Sequence, residues 1–254
     1  SPEAEVIVIN SKGSFAENCN RGIAAAKGDY ICLLNDDIVV TEGWLEPLIE
    51  VLDTRPDAGA VSPMMLFPQE QVRLPENENF MPKYELVTKV QFAGMVFHSD
   101  YCGGHLGWGW KVDDPRLPKE VTEFQATTFG CVLLRKKALF QPAPNIDFHP
   151  LIANCVIDAQ RQIDEDYKVG GYEDVDACFR MKLRGWKIFL EPKSKIFHYE
   201  SVTFNSFDQT QRQSASNSNR ELYLKRWVPF FENGTFKVDD VDFLGGVWKG
   251  YVEE

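Results

Sequence analysis

An amide and two adjacent carboxylates, Asn35-Asp36-Asp37, stand between the apolar runs 31–34 (ICLL) and 38–40 (IVV). A buried strand that ends this way delivers its carboxylates to the carboxyl edge of a sheet, which is where open α/β sheets bind ligands. Unpaired charge is too costly to leave in a dry core. Either a hard divalent cation with oxygen ligands takes these carboxylates, or they cap the helix that follows. On this stretch alone the two readings carry equal weight. A second acidic group, Glu173-Asp174 with Asp176, opens a helix-like run directly after Gly170-Gly171. Carboxylates suit the first turn of a helix because they face the positive end of its dipole. The two glycines read as the hinge of a mobile cleft wall. Asp176 is expected to form a helix-surface ion pair with Arg180. The third group is His198, which follows an apolar strand and precedes Tyr199-Glu200-Ser201. A lone histidine is more often a hydrogen-bonded structural residue, but beside a carboxylate metal site an imidazole ligand is sound chemistry.

Taken together, these residues point to a divalent metal held by Asp37 and His198, with a separate carboxylate base. That set suits transfer from a diphosphate leaving group. The metal neutralises charge growing on the leaving phosphate, and the carboxylate takes the proton of an acceptor hydroxyl.

The elements that must position these groups are legible from periodicity. Residues 5–10 (EVIVIN) read as a buried strand, 16–27 as a helix stopped by Gly28, and 30–34 as a second strand. That order predicts a βαβ unit and a parallel pair. Residues 42–52 form an amphipathic helix with Pro47 in its first turn. Residues 58–63 read as a short strand, 66–86 as a surface excursion, 89–98 as a strand, and 102–110 as a Gly-rich loop carrying Trp108 and Trp110. Further on, 123–135 is strand-like, a short helix starts at 136, and 154–164 is a helical stretch. The acidic helix ends at Gly185, and short strands follow at 187–191 and 195–198. The part 208–231 is polar and then aromatic and reads as a helix ending at Trp227, before an irregular tail from Glu232.

Composition narrows the functional classes. A chain of 254 residues suits one large domain, with or without a tail. A net charge of −11 argues against a nucleic-acid groove and against a polybasic membrane patch. The six cysteines are scattered with no C-x-x-C, so reduced thiols are expected. No apolar run reaches the length of a membrane span and no signal peptide is visible. A cytoplasmic protein is expected, reaching the cytoplasmic face of a membrane through partners.

The pattern A-x-x-x-N-x-G-x-x-A-A-x-G-D-Y-x-x-L-L-N-D-D-x-V-V-x-x-G-W-L over residues 16–45 resembles the GT-A glycosyltransferases of family 2, above all the rhamnosyltransferase-like and O-antigen-type members of polysaccharide biosynthesis. The resemblance continues in order through 92–97 (FAGMVF), Asp113-Asp114-Pro115, 128–135 (TFGCVLLR) and 172–176 (YEDVD). It closes with Gly185-Trp186-Lys187-Ile188, Pro192, 198–201 (HYES) and Lys225-Arg226-Trp227. Each motif is weak alone; the ordered set is specific.

The resemblance implies a GT-A fold, with a mostly parallel central sheet flanked by helices. The domain would fill residues 1–231, with a nucleotide and metal half at 1–65, an acceptor and sugar half at 89–204, and a tail at 232–254. It implies an inverting, metal-dependent transferase that moves a sugar from a nucleotide-diphosphate donor to a hydroxyl on a glycan, a lipid-linked sugar or a protein. Asn35-Asp36-Asp37 matches the family's D-x-D-type motif. Asp37 and His198 would hold Mn2+ or Mg2+. Asp36, Asn35 and Asn20 would contact the donor, and Gly130 and Cys131 would line the sugar pocket. Asp174, with Glu173, would supply the base. Two departures stand out. The family's first strand, helix and second strand, which cradle the base, are expected to be absent here or to lie in a missing amino-terminal segment. The family's N-x-G-F-A turn is replaced by Lys12-Gly13-Ser14-Phe15-Ala16. The alternative is a non-catalytic glycan- or partner-binding module, with Trp108 and Trp110 stacked on sugar rings.

Overall fold

The computed structural model describes residues 4–73, 84–144, 162–199 and 209–239. It opens with an unpaired extended run and then α1 (Phe15–Ala25), β1 (Tyr30–Leu34), β2 (Ile38–Val40), α2 (Leu45–Thr54) and β3 (Ala58–Leu66). Next come β4 (Glu70–Arg73), β5 (Tyr84–Val87), β6 (Val90–Phe92), β7 (Met95–Phe97), β8 (Gly103–His105), β9 (Thr122–Phe124) and β10 (Cys131–Arg135). A 3-10 turn (Lys136–Leu139), α3 (Glu173–Leu183), β11 (Lys187–His198) and α4 (Gln209–Glu232) complete the order.

The central sheet runs β1-β10-β3-β11-β2, with β6 added to β3 and β9 to β11. It is mixed rather than mostly parallel. Among the described residues only β3 and β11 are parallel, and every other pair in the sheet is antiparallel. The expected parallel pair of the 5–10 run with β1 does not form. That run has no strand beside it among the described residues, and Val6 and Val8 are exposed. β3 is buried along its whole length, as a central strand covered on both faces should be. Leu48, Val51 and Leu52 of α2 pack against one face of the sheet, with Ala58, Val61, Leu133 and Phe189. The larger core lies on the other face and gathers Ile23 of α1, most of α3, and the Tyr223, Trp227 and Phe230 face of α4.

Several expected strands are redrawn by packing. The 89–98 run breaks into β6 and β7 at Gly94, whose φ is +123° and whose added Cβ would stand 2.1 Å from the Phe124 ring. The 102–110 loop contains β8, which pairs with β7. The two strands expected at 187–191 and 195–198 are one strand, β11, with a register shift between Glu191 and Lys195. The 66–86 excursion carries the β4–β5 hairpin, and most of the helical stretch expected at 154–164 lies outside the described residues. The segment after α4 is not loose where it is described. Phe236 is buried against Phe179, and Asp239 accepts from Phe97 N–H at 2.7 Å. No helix among the described residues is long and apolar enough to cross a membrane.

Asp176 is the point where the expected surface ion pair fails. Its side chain is fully buried. It pairs with Arg180 at 2.8 Å and with Arg226 at 2.6 Å, and accepts from Trp227 Nε1 at 3.0 Å and Tyr167 Oη at 3.2 Å. Arg226 also reaches Asp164 at 2.9 Å. The i,i+4 spacing to Arg180 was readable from the sequence; the partners on α4 were not. Removing one member of a buried ionic network strands the others. Asp176→Ala is therefore expected to lower unfolding free energy by about 3–5 kcal/mol, against about 1 kcal/mol for Tyr167→Phe. Urea unfolding midpoints of the two variants check this.

Candidate active site

β1 and β11 bring the first and third groups together. β1 ends at Leu34, and Asn35 N–H donates to Gly130 O at 2.9 Å, which ties the acidic loop to the start of β10. β2 then pairs antiparallel with the end of β11, setting His198 opposite Ile38, and Tyr199 N–H donates to Asp37 O at 2.9 Å. With both backbones fixed, Asp37 Oδ1 lies 3.1 Å from His198 Nε2. Both side chains are largely buried, at 9% and 15% exposure. Gly130 faces this pair: a Cβ built there would stand 3.7 Å from Asn35 Nδ2 and 3.7 Å from His198 Cε1. Asp36, between the two, is exposed. Cys131 is fully buried, with its thiol hydrogen-bonded to Cys32 of the neighbouring strand, so backbone rather than thiol is what this position offers to the site.

The second group reaches the same place through the 128–130 turn. Asp174 accepts hydrogen bonds from the Val175 N–H at 2.8 Å, the Phe129 N–H and the Thr128 hydroxyl. One short turn therefore holds Asp174 at one end and meets Asn35 and His198 at the other. Burial raises the Asp174 carboxyl above its ordinary value, and those hydrogen bonds hold the rise in check. Glu173 is buried more deeply. Burial, with the charge of Asp174 beside it, pushes its pKa up to about 8, so its neutral form prevails at neutral pH. The same two carboxyls act on Cys19 of α1. Burial and then their charges raise that thiol to about 12.

The turn before α3 is strained. Val169 and Tyr172 have φ of +63° and +74°, a region bulky side chains avoid. α4 secures it. Asn219, buried, accepts from Lys168 N–H at 2.8 Å and donates to the carbonyls of Lys168, Gly170 and Gly171. Tyr172 stacks on Tyr223, with ring centroids 4.8 Å apart. The Gly170-Gly171 pair is thus clamped in this structure.

Of the residues singled out from sequence, Asn35, Asp37, Gly130, Cys131, Glu173, Asp174 and His198 lie along this connected set. Asn20 does not join it through its amide. That group donates to Ile163 O at 2.8 Å and Glu165 Oε1 at 2.9 Å, and accepts from Ile163 N–H at 3.0 Å. Trp110 is buried beneath the Arg116 guanidinium, 3.6 Å from its ring centroid, whereas Trp108 keeps 36% exposure. Ser14 and Glu17 close α1 with reciprocal capping bonds, so the altered 12–16 turn starts a well-capped helix. Two residues were missed. Thr128 carries Asp174, and Gln91 contacts the ring of His198 at 2.7 Å. A polar residue inside the fully buried strand β6 was the available signal for Gln91, because buried amides must be hydrogen-bonded.

Residues 1–106 match the family model described as Glycosyl transferase family 2. The chain resembles that family over those residues and has the GT-A fold. Among curated relatives, it is 25% identical over 183 residues to the O-antigen biosynthesis protein RfbC of Myxococcus xanthus, covering 70% of this chain and 11% of that protein. It is 20% identical over 218 residues to the uncharacterized protein y4gI of Sinorhizobium fredii (strain NBRC 101917 / NGR234), covering 82% of this chain and 19% of that one. The chain thus spans less than a fifth of the length of either relative. Among solved structures it resembles GalNAc-T7 crystallised with UDP, GalNAc and Mn2+, with a TM-score of 0.53 at 14% identity, covering 92% of this chain and 40% of that one. That likeness concerns the fold.

Proposed function

We propose that this chain is the catalytic domain of an inverting, metal-dependent glycosyltransferase, moving a sugar from a nucleotide-diphosphate donor to a hydroxyl on a glycan, a lipid-linked sugar or a protein. The observation that carries the reading is the 128–130 turn, which holds Asp174 and abuts the Asp37–His198 pair. In this reading residues 1–65 supply the metal side and 89–204 the sugar and acceptor side, and the protein works in the cytoplasm.

The donor set fits a small hard cation that is only partly protein-bound. Among the described residues no cluster of three or more His, Cys, Asp or Glu surrounds a point. Mg2+-like ions often take one or two protein ligands and fill the rest with phosphate oxygens and water. Asp37 Oδ1 and His198 Nε2, 3.1 Å apart, would be the two protein atoms that hold such an ion. When bound, Mn2+ or Mg2+ would draw negative charge from the departing diphosphate. Asp174 would accept the acceptor hydroxyl proton as that oxygen bonds to the anomeric carbon and the carbon–diphosphate bond breaks, its electron pair leaving with the diphosphate. Asn35 and the Gly130 backbone would bound the sugar, and Asp36 would meet the donor from the exposed side. The structure of GalNAc-T7 with UDP, GalNAc and Mn2+ supports a comparable ligand set on this fold.

Titration calorimetry with UDP, GDP and dTDP, each with and without Mn2+, tests the proposal. Manganese-dependent binding of one nucleotide is expected and identifies the donor class. Binding of glycan without nucleotide or metal would favour a lectin-like module instead, for which the half-exposed Trp108 is the best contact surface.

A further inference from the structure

Gln91 touches no reacting group, yet it determines what His198 can offer. It sits in the middle of β6 at 2% exposure, and its amide makes two contacts with one residue. Its Nε2 donates to the backbone carbonyl of His198 at 3.5 Å, and its Oε1 lies 2.7 Å from His198 Nδ1. The carbonyl can only accept, so it fixes which end of the amide carries the N–H groups. That leaves Oε1, an acceptor, facing the ring, and Nδ1 must therefore be the ring nitrogen that carries hydrogen. In the neutral imidazole the remaining lone pair is then on Nε2, the atom 3.1 Å from Asp37 Oδ1. Two acceptor atoms at that distance repel unless a positive centre lies between them.

We infer that Gln91 is a positioning residue that locks His198 in the Nδ1–H tautomer, so that Nε2 and Asp37 Oδ1 present a paired lone-pair face to a divalent cation. The inference rests on the metal-dependent reading above and adds to it a residue outside the cation's own ligands. Metal-bound histidines usually donate their second ring N–H to such an acceptor, which fixes ring orientation. Among the described residues, both side-chain contacts of Gln91 go to His198. His105 nearby bonds to the backbone of Gln91 rather than its side chain. Burial, more than any neighbour, holds the His105 ring neutral, with a pKa of about 3, so it adds no positive charge beside His198.

The test uses the full chain with Gln91→Leu and Gln91→Glu. Two quantities are read. One is the His198 tautomer, from long-range proton–nitrogen spectra assigned by the signals lost in His198→Gln. The other is Mn2+ affinity, from the electron paramagnetic resonance of free Mn2+ in the presence of the nucleotide bound best. In the wild type the metal-free ring is expected as Nδ1–H. Leucine, which offers no acceptor, is expected to release that tautomer and weaken Mn2+ binding by about 10–100-fold. Glutamate keeps an acceptor at Nδ1 and is expected to retain both properties, which separates the hydrogen bond from simple packing. An unchanged tautomer in Gln91→Leu overturns the inference, as does unchanged Mn2+ affinity, or loss of both properties in a folded Gln91→Glu. A wild-type chain that binds no Mn2+ overturns the metal reading and this inference with it. That failure is distinguishable because it is seen before any substitution is made.

Discussion

Asp37→Ala is expected to reduce release of nucleoside diphosphate from the donor sugar by on the order of 10³-fold or more, with no recovery at high manganese. Lewis-acid stabilisation of a departing diphosphate contributes several kcal/mol to the transition state, and each 1.36 kcal/mol is about tenfold in rate. Asp37 also holds its place through backbone contacts that alanine keeps. Tyr199 N–H still finds the residue-37 carbonyl, and β2 still pairs with β11. The variant should therefore fold, and its melting temperature should stay close to that of the wild type while turnover collapses. Nucleotide binding measured in parallel assigns the defect. Binding that no longer responds to Mn2+ places the loss at the metal. Turnover that survives the substitution would remove Asp37 from the mechanism, and with it the metal site built on it.

Asp174→Asn and Glu173→Gln are expected to differ sharply although the residues are adjacent. A positioned general base contributes about 10²–10⁴-fold, so Asp174→Asn should lose turnover on that scale with donor binding intact. Glu173 is buried and its pKa lies at about 8. At pH 7 it is mostly a neutral carboxyl, which glutamine imitates, and its loss should change turnover by less than about tenfold. The pH profiles give an independent check. The base works deprotonated, so wild-type turnover should fall on the acid side, along a limb that sits higher than an ordinary aspartate would give, because burial raises the Asp174 carboxyl. Glu173 should appear in stability instead. The unfolded chain releases its proton near the ordinary value of 4.5 and the folded chain holds it to about 8. Between those values the folded state binds more protons, and stability falls as pH rises. Urea unfolding from pH 5 to 9 should show that decline in the wild type and a flatter line in Glu173→Gln. Comparable loss of turnover in both variants would show that the two carboxyls act as a unit, and would end the assignment of the base to Asp174 alone.

How much of this was legible in the sequence depended on range. Local signals read well. The helix over 16–27, the strand over 30–34, the helix that starts at Glu173, and a long helix through Trp227 were all recoverable from local spacing. Those features are set by residues within a turn or two of one another. The candidate site residues stood out for a related reason: charge interrupting apolar sequence is expensive, and that expense leaves a visible mark. Strand pairing was not legible. Whether β10 runs against β3 or alongside it, and whether 187–198 is one strand or two, depends on neighbours far away in the chain. The 5–10 run has a clear strand composition, but β-propensity only forms a strand when a partner edge is present.

Asp176 and Gln91 mark the boundary most clearly. Each looked ordinary in its own stretch, one as a surface carboxylate and the other as a polar residue in a strand. Folding carried Asp176 to Arg226 and Trp227 of α4, and Gln91 to the Nδ1 edge of the His198 ring. The sequence named the groups able to do chemistry, because residue type and immediate neighbours are enough to mark a carboxylate or an imidazole that needs a partner. It could not name the partners. A hydrogen bond acts over about 3 Å, while the residues it joins here are separated by 50 to 107 positions along the chain, and only the packed sheet and the two helices behind it bring them within that reach.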